Sequence, residues 1–543
     1  MAALALVAVS VLLLLSSPSG ASDPHSAYYS THNDKVFWFI QVSDVHIGTD
    51  GGQDSGNLQW LVTEGKNVIN PSFIVVSGDL TDSTDGNFFG YPDGPHQVEW
   101  DEYKAILQGN VDASFYYDIP GNHDHYNDQY FNYYRANSVQ GQATGQTQLS
   151  WTRELSFGKY HFLGVNTADN TGSSFSLFPP YGDHAGLDAT ELAFINNELQ
   201  ANSDAKLTLI FGHHPLVATG DSSDTYVYYG GNEFESLMDG YGSSLYGYGH
   251  THAYSERFFT QNMTEGVFYF NVASLGKSTS NNYTIMAIDC NGISTVTQTV
   301  NTWPAVLITA PMDRYLGGTV NPYTYTVPNG SSNPIRALVF DKNAILTVQY
   351  RVDGNSSWFP MTRTAEATNP HLWEATWDAS ALSEGEHNIE VQAATMSGTR
   401  SNVVTVYVEG QVQPQLLVGA KSVSRGKYVT TGTRKNKVTN FVETDSFTRG
   451  EGIVFRVQIV DQDSANLAGA TATITISGPQ TQVLTTGPSA VNGIAEATWQ
   501  TSKPNKRGIG GTPTGSYTAT ITNVTASGYI WDGIQLQTGF LLQ

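Results

Sequence analysis

Residues 36–46 read VFWFIQVSDVH. The first seven, Val36 to Val42, are a continuous apolar run of strand length that leads directly into Asp44, Val45 and His46. A strand without polar alternation is covered on both faces, as in sheets flanked by helices. The pattern recurs along the first half. SFIVVSG (72–78) leads into Asp79, ASFYYDIP (113–120) into Gly121-Asn122-His123-Asp124, and KLTLIFG (206–212) into His213-His214. Between these runs, Leu58, Leu61, Val62, Val68 and Ile69, and then the segment Val98 to Leu107, have helical spacing. Residues 188–200 open with Asp188 at an N-cap position and Glu191 three places later, a capping box. This half therefore reads as α/β with a parallel or mixed sheet. After about residue 244 only strands follow: ERFFT, GVFYFNVA, YTIMAID and STVTQTV.

The chain has 543 residues, enough for three or four domains at ~150 residues each. NTWPAVLITAP (301–311) reads as a boundary after a first domain over 34–300. Short alternating strands then fill 303–409, a polar stretch at 410–414 reads as a linker, and 415–543 repeats the style, so two all-β immunoglobulin-like sandwiches are expected. Both carry a similar late element, Gly385-Glu386-His387 and Gly515-Ser516-Tyr517, each leading into an alternating strand. Twelve of the 14 histidines lie between His25 and His252, which puts any metal or acid–base chemistry in the first domain. With 26 basic and 49 acidic residues the formal charge is −23, which argues against a nucleic-acid partner. The single cysteine, Cys290 in MAIDC, excludes an intramolecular disulfide framework and a cysteine-based zinc site and reads as a buried strand residue.

Residues 2–15 (AALALVAVSVLLLL) precede SSPSGA, with Ser19 and Ala21 in small-x-small spacing. The run is shorter than the ~20 residues that cross a bilayer. It reads as a signal peptide cut near Ala21, with an uncleaved anchor as the alternative. A secreted or secretory-lumen protein without a membrane span in the mature chain is expected. Sequons at Asn262, Asn282, Asn329, Asn355 and Asn523 fit a glycoprotein but do not decide the question.

Five motifs fall in order at strand ends: Asp44-Val45-His46, Gly78-Asp79, Gly121-Asn122-His123-Asp124, Gly212-His213-His214 and Gly249-His250-Thr251-His252. Ligands of open α/β sheets gather beyond the carboxyl ends of strands, so all five can meet on one rim. Asp44, His46, Asp79, Asn122, His213, His250 and His252 offer O and N donors without thiolate, which suits Mn, Zn or Fe(II). Seven such side chains exceed one tetrahedral ion and fit two divalent ions with a bridging carboxylate. Two such ions bring +4 against −2 from the carboxylates, and a bridging hydroxide takes the centre to about +1, which attracts phosphate despite the global charge. Two metals ~3.5–4 Å apart generate hydroxide near neutral pH and stabilise phosphoryl oxygens.

In these motifs the chain resembles the calcineurin-like metallophosphoesterase superfamily over roughly residues 34–300. The resemblance implies a four-layer α-β-β-α sandwich. It also implies Asp44, His46 and His252 at one metal, Asn122, His213 and His250 at the other, and Asp79 bridging. His123 would sit by the leaving group, with Asp124 orienting it. More narrowly, WPAVLIT (303–309), IRALVF (335–340) and GEHNIEV (385–391) resemble the module following the phosphoesterase domain in transmembrane protein 62-like metallophosphoesterases, to about residue 409. Residues 415–543 lack the membrane spans of that family, and membrane anchoring is not carried over.

The expected function is metal-dependent hydrolysis of a phosphomonoester or phosphodiester by metal-bound hydroxide. The competing reading is a surface-binding protein with the same fold as scaffold and sandwiches that bind glycan or protein. Specificity would lie in loops at 50–56, 84–96, 168–184 and 219–232, which carry almost no Lys or Arg. That favours a small ester with an apolar or neutral leaving group. His214 is left open between a supporting and a plain structural role. His125 is expected at the surface or behind the ligands, Asp82 in a turn or behind the ligands, Tyr246 and Tyr248 in core or cleft wall, and Trp373, Trp377 and Trp499 in sandwich cores.

Overall fold

Val36–Val42 forms β1, buried along its whole length. The computed structural model describes residues 35–49, 51, 53–83, 94–168, 185–216, 226–253, 255–258, 267–277, 281–316, 319–321, 323–364, 370–410, 416–434 and 436–543. The leader expected at 1–21 lies outside them, as do most of the loops expected at 84–96 and 168–184, half of that at 219–232, and the sequon at Asn262. Parallel to β1 run β2 (Ile74–Ser77) and, beyond it, β3 (Tyr116–Ile119). The next six strands, β4 (Leu149–Leu155), β5 (Gly158–Gly164), β6 (Leu207–Phe211), β7 (Leu245–Tyr248), β8 (Ser255–Phe258) and β9 (Phe268–Asn271), make a second sheet of order β4-β5-β6-β7-β9-β8. The chain then returns to the first sheet with β10 (Asn282–Asp289) and β11 (Gly292–Thr299), completing the order β11-β10-β1-β2-β3.

Alternation along β1 explains its unbroken apolar sequence. Phe37 and Phe39 point into an aromatic core between the sheets, shared with Phe73, Phe162, Phe211 and Phe270. Val36, Trp38, Ile40 and Val42 point the other way, onto a layer containing Leu58, Leu61, Val62, Trp100 and Tyr103. That layer includes a helix at Asp54–Trp60 that continues through a π turn (Leu61–Gly65) into Lys66–Ile69, and a helix at Gln97–Leu107. The loop expected at 50–56 therefore ends in helix from Asp54. On the far face of the second sheet, Leu163, Ile210 and Tyr246 pack against Ile195 and Leu199 of the helix Ala189–Ala201 and Phe234 and Met238 of Gly231–Gly240. The result is the expected helix–sheet–sheet–helix stack. Asp188 and Glu191 make the expected capping box. The helix at Gly231–Gly240 is not evident in the sequence, because GNEFESLMDG carries glycine at both ends and few apolar residues. Cys290 is not a strand residue: it is half-buried in the β10–β11 turn with φ 49°.

The chain divides into two compact units, Met1–Gln411 and Val412–Gln543. The first unit contains the first β-sandwich as well as the α/β stack. In the strand Ala305–Ala310 all six residues are buried. Val306 and Ile308 belong to the sandwich's own core, whereas Ala305 and Leu307 belong to the outer core of the first sheet. The strand Asn333–Phe340 divides in the same way, with Ile335, Ala337 and Val339 inward and Leu338 and Phe340 towards the α/β stack. Arg336 lies on that second face, 3% exposed. Its Nε and Nη2 donate to the two oxygens of Asp289 at 2.8 and 3.1 Å, and its Nη1 to Glu374 at 2.6 Å. Thr309 donates to Asp289 at 2.7 Å. Trp60 and Trp303 both donate to Glu64, at 3.1 and 3.0 Å. The sandwich thus occupies part of the outer layer of the first sheet.

In the second unit two five-stranded sheets enclose a core that includes Phe455, Ile474, Trp499, Tyr517 and Phe540. The shared late element has a shared bond. Tyr517 Oη donates to the carbonyl of Pro513 at 2.7 Å, and His387 Nε2 meets that of Ser383 at 2.9 Å, each four residues upstream. Among the described residues no helix is long and apolar enough to cross a membrane. Asp289→Ala removes both oxygens to which Nε and Nη2 of the buried Arg336 donate. Removing one partner of a buried pair costs on the order of 3 kcal/mol, and a lowered denaturant midpoint for the first unit is the expected readout. An unchanged midpoint would mean that the pair contributes nothing to holding the sandwich in place.

Candidate metal centre

Each strand end delivers its side chains to one pocket. The carboxyl ends of β1, β2 and β3 supply Asp44 and His46, Asp79, and Asn122. The ends of β6 and β7 supply His213, and His250 and His252. The loops at these ends are tied together by backbone bonds, Asp44 N to Gly78 O at 3.0 Å, His46 N to Asp79 O at 2.9 Å and Gly276 N to Asp44 O at 3.1 Å. Asp44, His46, Asp79, His250 and His252 all have left-handed backbone, with φ between 52° and 68°. For side chains of this size that conformation costs on the order of 1–2 kcal/mol each, and such strain collects at functional sites. Two glycines are required by close approach. A Cβ on Gly78 would lie 2.3 Å from His213 Nδ1, and one on Gly121 2.2 Å from Asp79 Oδ1.

Asp79 sits at the centre. Its Oδ2 lies 3.4 Å from His46 Nε2 and 3.2 Å from His213 Nε2, while Oδ1 accepts from the backbone N–H of His123 at 3.0 Å. On one side Asp44 Oδ1 is 3.3 Å from His252 Nε2, which is 3.2 Å from His46 Nε2. On the other, Asn122 Oδ1 lies 3.0 Å from His213 Nε2 and 3.1 Å from His250 Nδ1. All seven candidate ligands therefore meet in two groups that share Asp79.

Hydrogen bonds outside the cluster set the direction of its lone pairs. His213 Nδ1 lies 2.8 Å from the carbonyl of Ser77, which can only accept. The ring therefore keeps a hydrogen on Nδ1, and in the neutral form Nε2 presents its lone pair. His46 Nδ1 lies 2.8 Å from Asp82 Oδ1, with the same consequence. Asn122 donates its amide to Tyr126 Oη at 2.7 Å, which aims its oxygen at the histidines. Burial alone would push Asp79 up, but His213 and His123 hold it well below the carboxylate range. Burial would likewise raise Asp44, and His252 and His46 bring it down. In their neutral form the imidazole nitrogens join carboxylates and an amide oxygen here as acceptors, a donor set that fits divalent transition metals.

The neighbours differ in part from expectation. Asp124 does not orient the His123 ring: its carboxylate accepts from the backbone N–H groups of Leu80, Thr81 and Gly121 at 2.9–3.1 Å, so it shapes the loop that carries Asp79. Burial and then the Asp79 charge push it up to about 7. His123 is held instead through Nδ1, 2.5 Å from the carbonyl of Asp82, with Nε2 4.0 Å from Asp79 Oδ2. His125 is buried beside Phe131, not at the surface. Tyr246 and Tyr248 are core residues. His214 lies next to His213 and His250, and burial, reinforced by those two rings, holds it well below the usual histidine range. Sequence reading missed Lys277 and Thr167, which lie outside every motif. Lys277 Nζ is 2.5 Å from Asp82 Oδ1, the oxygen that also meets His46. Thr167 accepts from the N–H groups of both His213 and His214.

Residues 37–254 match the family model of the calcineurin-like phosphoesterases. The chain carries a calcineurin-like phosphoesterase domain. Residues 300–412 match the TMEM62 Ig-like domain. Transmembrane protein 62 of Mus musculus is 27% identical over 419 residues, 73% of this chain and 60% of that protein. A protein of Arabidopsis thaliana named "Putative metallophosphoesterase" is 24% identical over 379 residues, 60% of this chain and 49% of its own length. The chain thus spans three fifths or less of these curated relatives. A dimetal phosphatase from Danio rerio is similar at 12% identity and TM-score 0.38, covering 49% of this chain and 99% of that one, a likeness too low to bear on chemistry.

Two predictions follow from the geometry of this phosphoesterase domain. Asp79→Ala removes the carboxylate common to both groups, so elemental analysis of the variant should show metal lost and any phosphatase turnover lost with it; a variant that keeps both would remove Asp79 from the centre. The second concerns protons. Burial lowers the His213 ring, but Asp79 more than offsets this and holds the metal-free ring up to about 9. Below that pH a proton occupies the nitrogen a cation needs, so affinity should rise as pH rises towards 9, with protons released on binding. Calorimetric metal titrations in buffers of different ionisation heat measure both, and a pH-independent affinity would count against His213 as a ligand.

Proposed function

We propose that this chain hydrolyses phosphoric esters using two divalent transition-metal cations, one held by Asp44, His46, Asp79 and His252 and the other by Asp79, Asn122, His213 and His250. One observation carries the reading. Acceptor atoms on five strand ends converge to 3.0–3.4 Å around Asp79 Oδ2 and Asn122 Oδ1, with Nδ1 of His46 and His213 already engaged outside. Only protons or cations relieve such an arrangement. Cations bound there would supply an acidified water and neutralise phosphoryl oxygens.

The chain's own residues do the rest. Asp82 and the Ser77 carbonyl keep the Nε2 atoms of His46 and His213 turned to the cations. Neutral His123 carries its hydrogen on Nδ1, which leaves a lone pair on Nε2, so the ring would take up a proton from the attacking water before it could pass one to a leaving oxygen. Lys277 offsets the Asp82 charge, so no unpaired cation among the described residues at this rim selects for a polyanionic ester. A monoester or diester with an apolar or neutral leaving group fits best. The apolar run at 2–15 and the sequons support an exported protein, and the sandwiches offer surface for a glycan or protein partner.

The test uses purified full chain with Mn, Zn or Fe(II) added, assayed on an aryl phosphate and an aryl phosphodiester. Chelator-sensitive turnover and close to two metals per chain are expected. Neither metal nor turnover would leave the alternative, a binding protein on a phosphoesterase scaffold.

A further inference from the structure

We propose that His214 is a phosphate-binding residue of this centre, its Nε2–H reserved for an oxygen of the phosphoryl group; the proposal rests on the phosphoesterase reading above. The argument begins at Thr167. Its hydroxyl oxygen accepts from the backbone N–H of His213 at 3.1 Å and from that of His214 at 3.0 Å. A hydroxyl has two lone pairs and one hydrogen. With both lone pairs engaged, the hydroxyl cannot also accept from a ring N–H, so His214 Nδ1 at 3.0 Å faces it as an acceptor. The neutral ring then carries its own hydrogen on Nε2.

That Nε2–H is buried and, among the described residues, no atom accepts from it. A buried donor left unpaired is unfavourable, and native structures rarely keep one without a use. The ring is 4.8 Å from that of His213 and 4.6 Å from that of His250, and one ring nitrogen of each of the three lies within 4.8 Å of the others. Spacing alone would make His214 a third ligand. The tautomer forbids it, because a protonated nitrogen has no lone pair for a cation. His214 is therefore a donor beside a cluster of acceptors. The Tyr246 hydroxyl fixes its backbone by donating to its carbonyl at 2.7 Å. A donor held from both ends is preorganised for an oxyanion delivered with the substrate.

The experiment uses the metal-loaded full chain and inorganic phosphate as the probe. Phosphate affinity is read by calorimetry and metal content by elemental analysis, for the wild type, His214→Phe and His214→Gln. The expected outcome for His214→Phe is unchanged metal content with phosphate bound about tenfold more weakly or worse, the loss of a hydrogen bond to a charged group. His214→Gln, whose amide presents an N–H at similar reach, should stay within a few-fold of wild type. Wild-type phosphate affinity in His214→Phe would overturn the proposal, leaving the N–H to an internal water. Loss of a cation in that variant would also overturn it, by making His214 a ligand. Should His214→Phe not fold, His214→Asn, too short to reach, takes its place with the same expected loss. A wild type that binds no metal would sink the phosphoesterase reading itself, an outcome distinct from both.

Discussion

A single carboxylate oxygen organises the first half of this chain. Asp79 Oδ2 is approached from one sheet by His46 and from the other by His213, at 3.4 and 3.2 Å. Two sheets that pack through a core rich in aromatic side chains are thereby registered at their carboxyl ends. The other oxygen of Asp79 is taken by the backbone of His123, so the side chain cannot turn away. Around it the chain accepts unfavourable backbone at Asp44, His46, Asp79, His250 and His252. Those conformations persist because the flanking strands are buried on both faces and cannot slide to relieve them.

Much of this was legible in sequence, for a definite reason. β1, β2, β3 and β6 are covered on both sides, so they appear as mainly apolar runs, interrupted at Gln41, Asp118 and Thr208, and each leads into a polar motif. Burial writes the strand, and the abrupt change to Asp, Asn or His marks the rim. The capping box at Asp188 and Glu191 is legible because the interaction is local. The helix at Gly231–Gly240 was not legible, since its stability comes from Phe234 and Met238 packing on the second sheet.

The supporting residues of the site were harder to read. Lys277 and Thr167 belong to no motif, and what makes them matter is contact across more than 45 residues of sequence in each case. Asp124 shows the converse error. Its adjacency to His123 suggested a pair, but a one-residue step in a tight turn sends the two side chains to different neighbours, and Asp124 closes on the backbone of the Asp79 loop. Hydrogen-bond direction, unlike strand location, depends on which carbonyl happens to stand behind a ring, and that is not encoded in spacing.

The strands Ala305–Ala310 and Asn333–Phe340 have a consequence for how this chain could have been assembled. Viewed as a string of modules, the first sandwich looks like a cassette that could be exchanged or dropped. Its outward face, however, is half of another domain's interior: Leu307, Leu338 and Phe340 cover Trp38 and Ile40, and Arg336 is matched to Asp289. A recombination event that brought in a foreign sandwich would have to bring that complementary face with it. The heritable block is therefore the stack and the sandwich together, whereas the final unit has a core of its own.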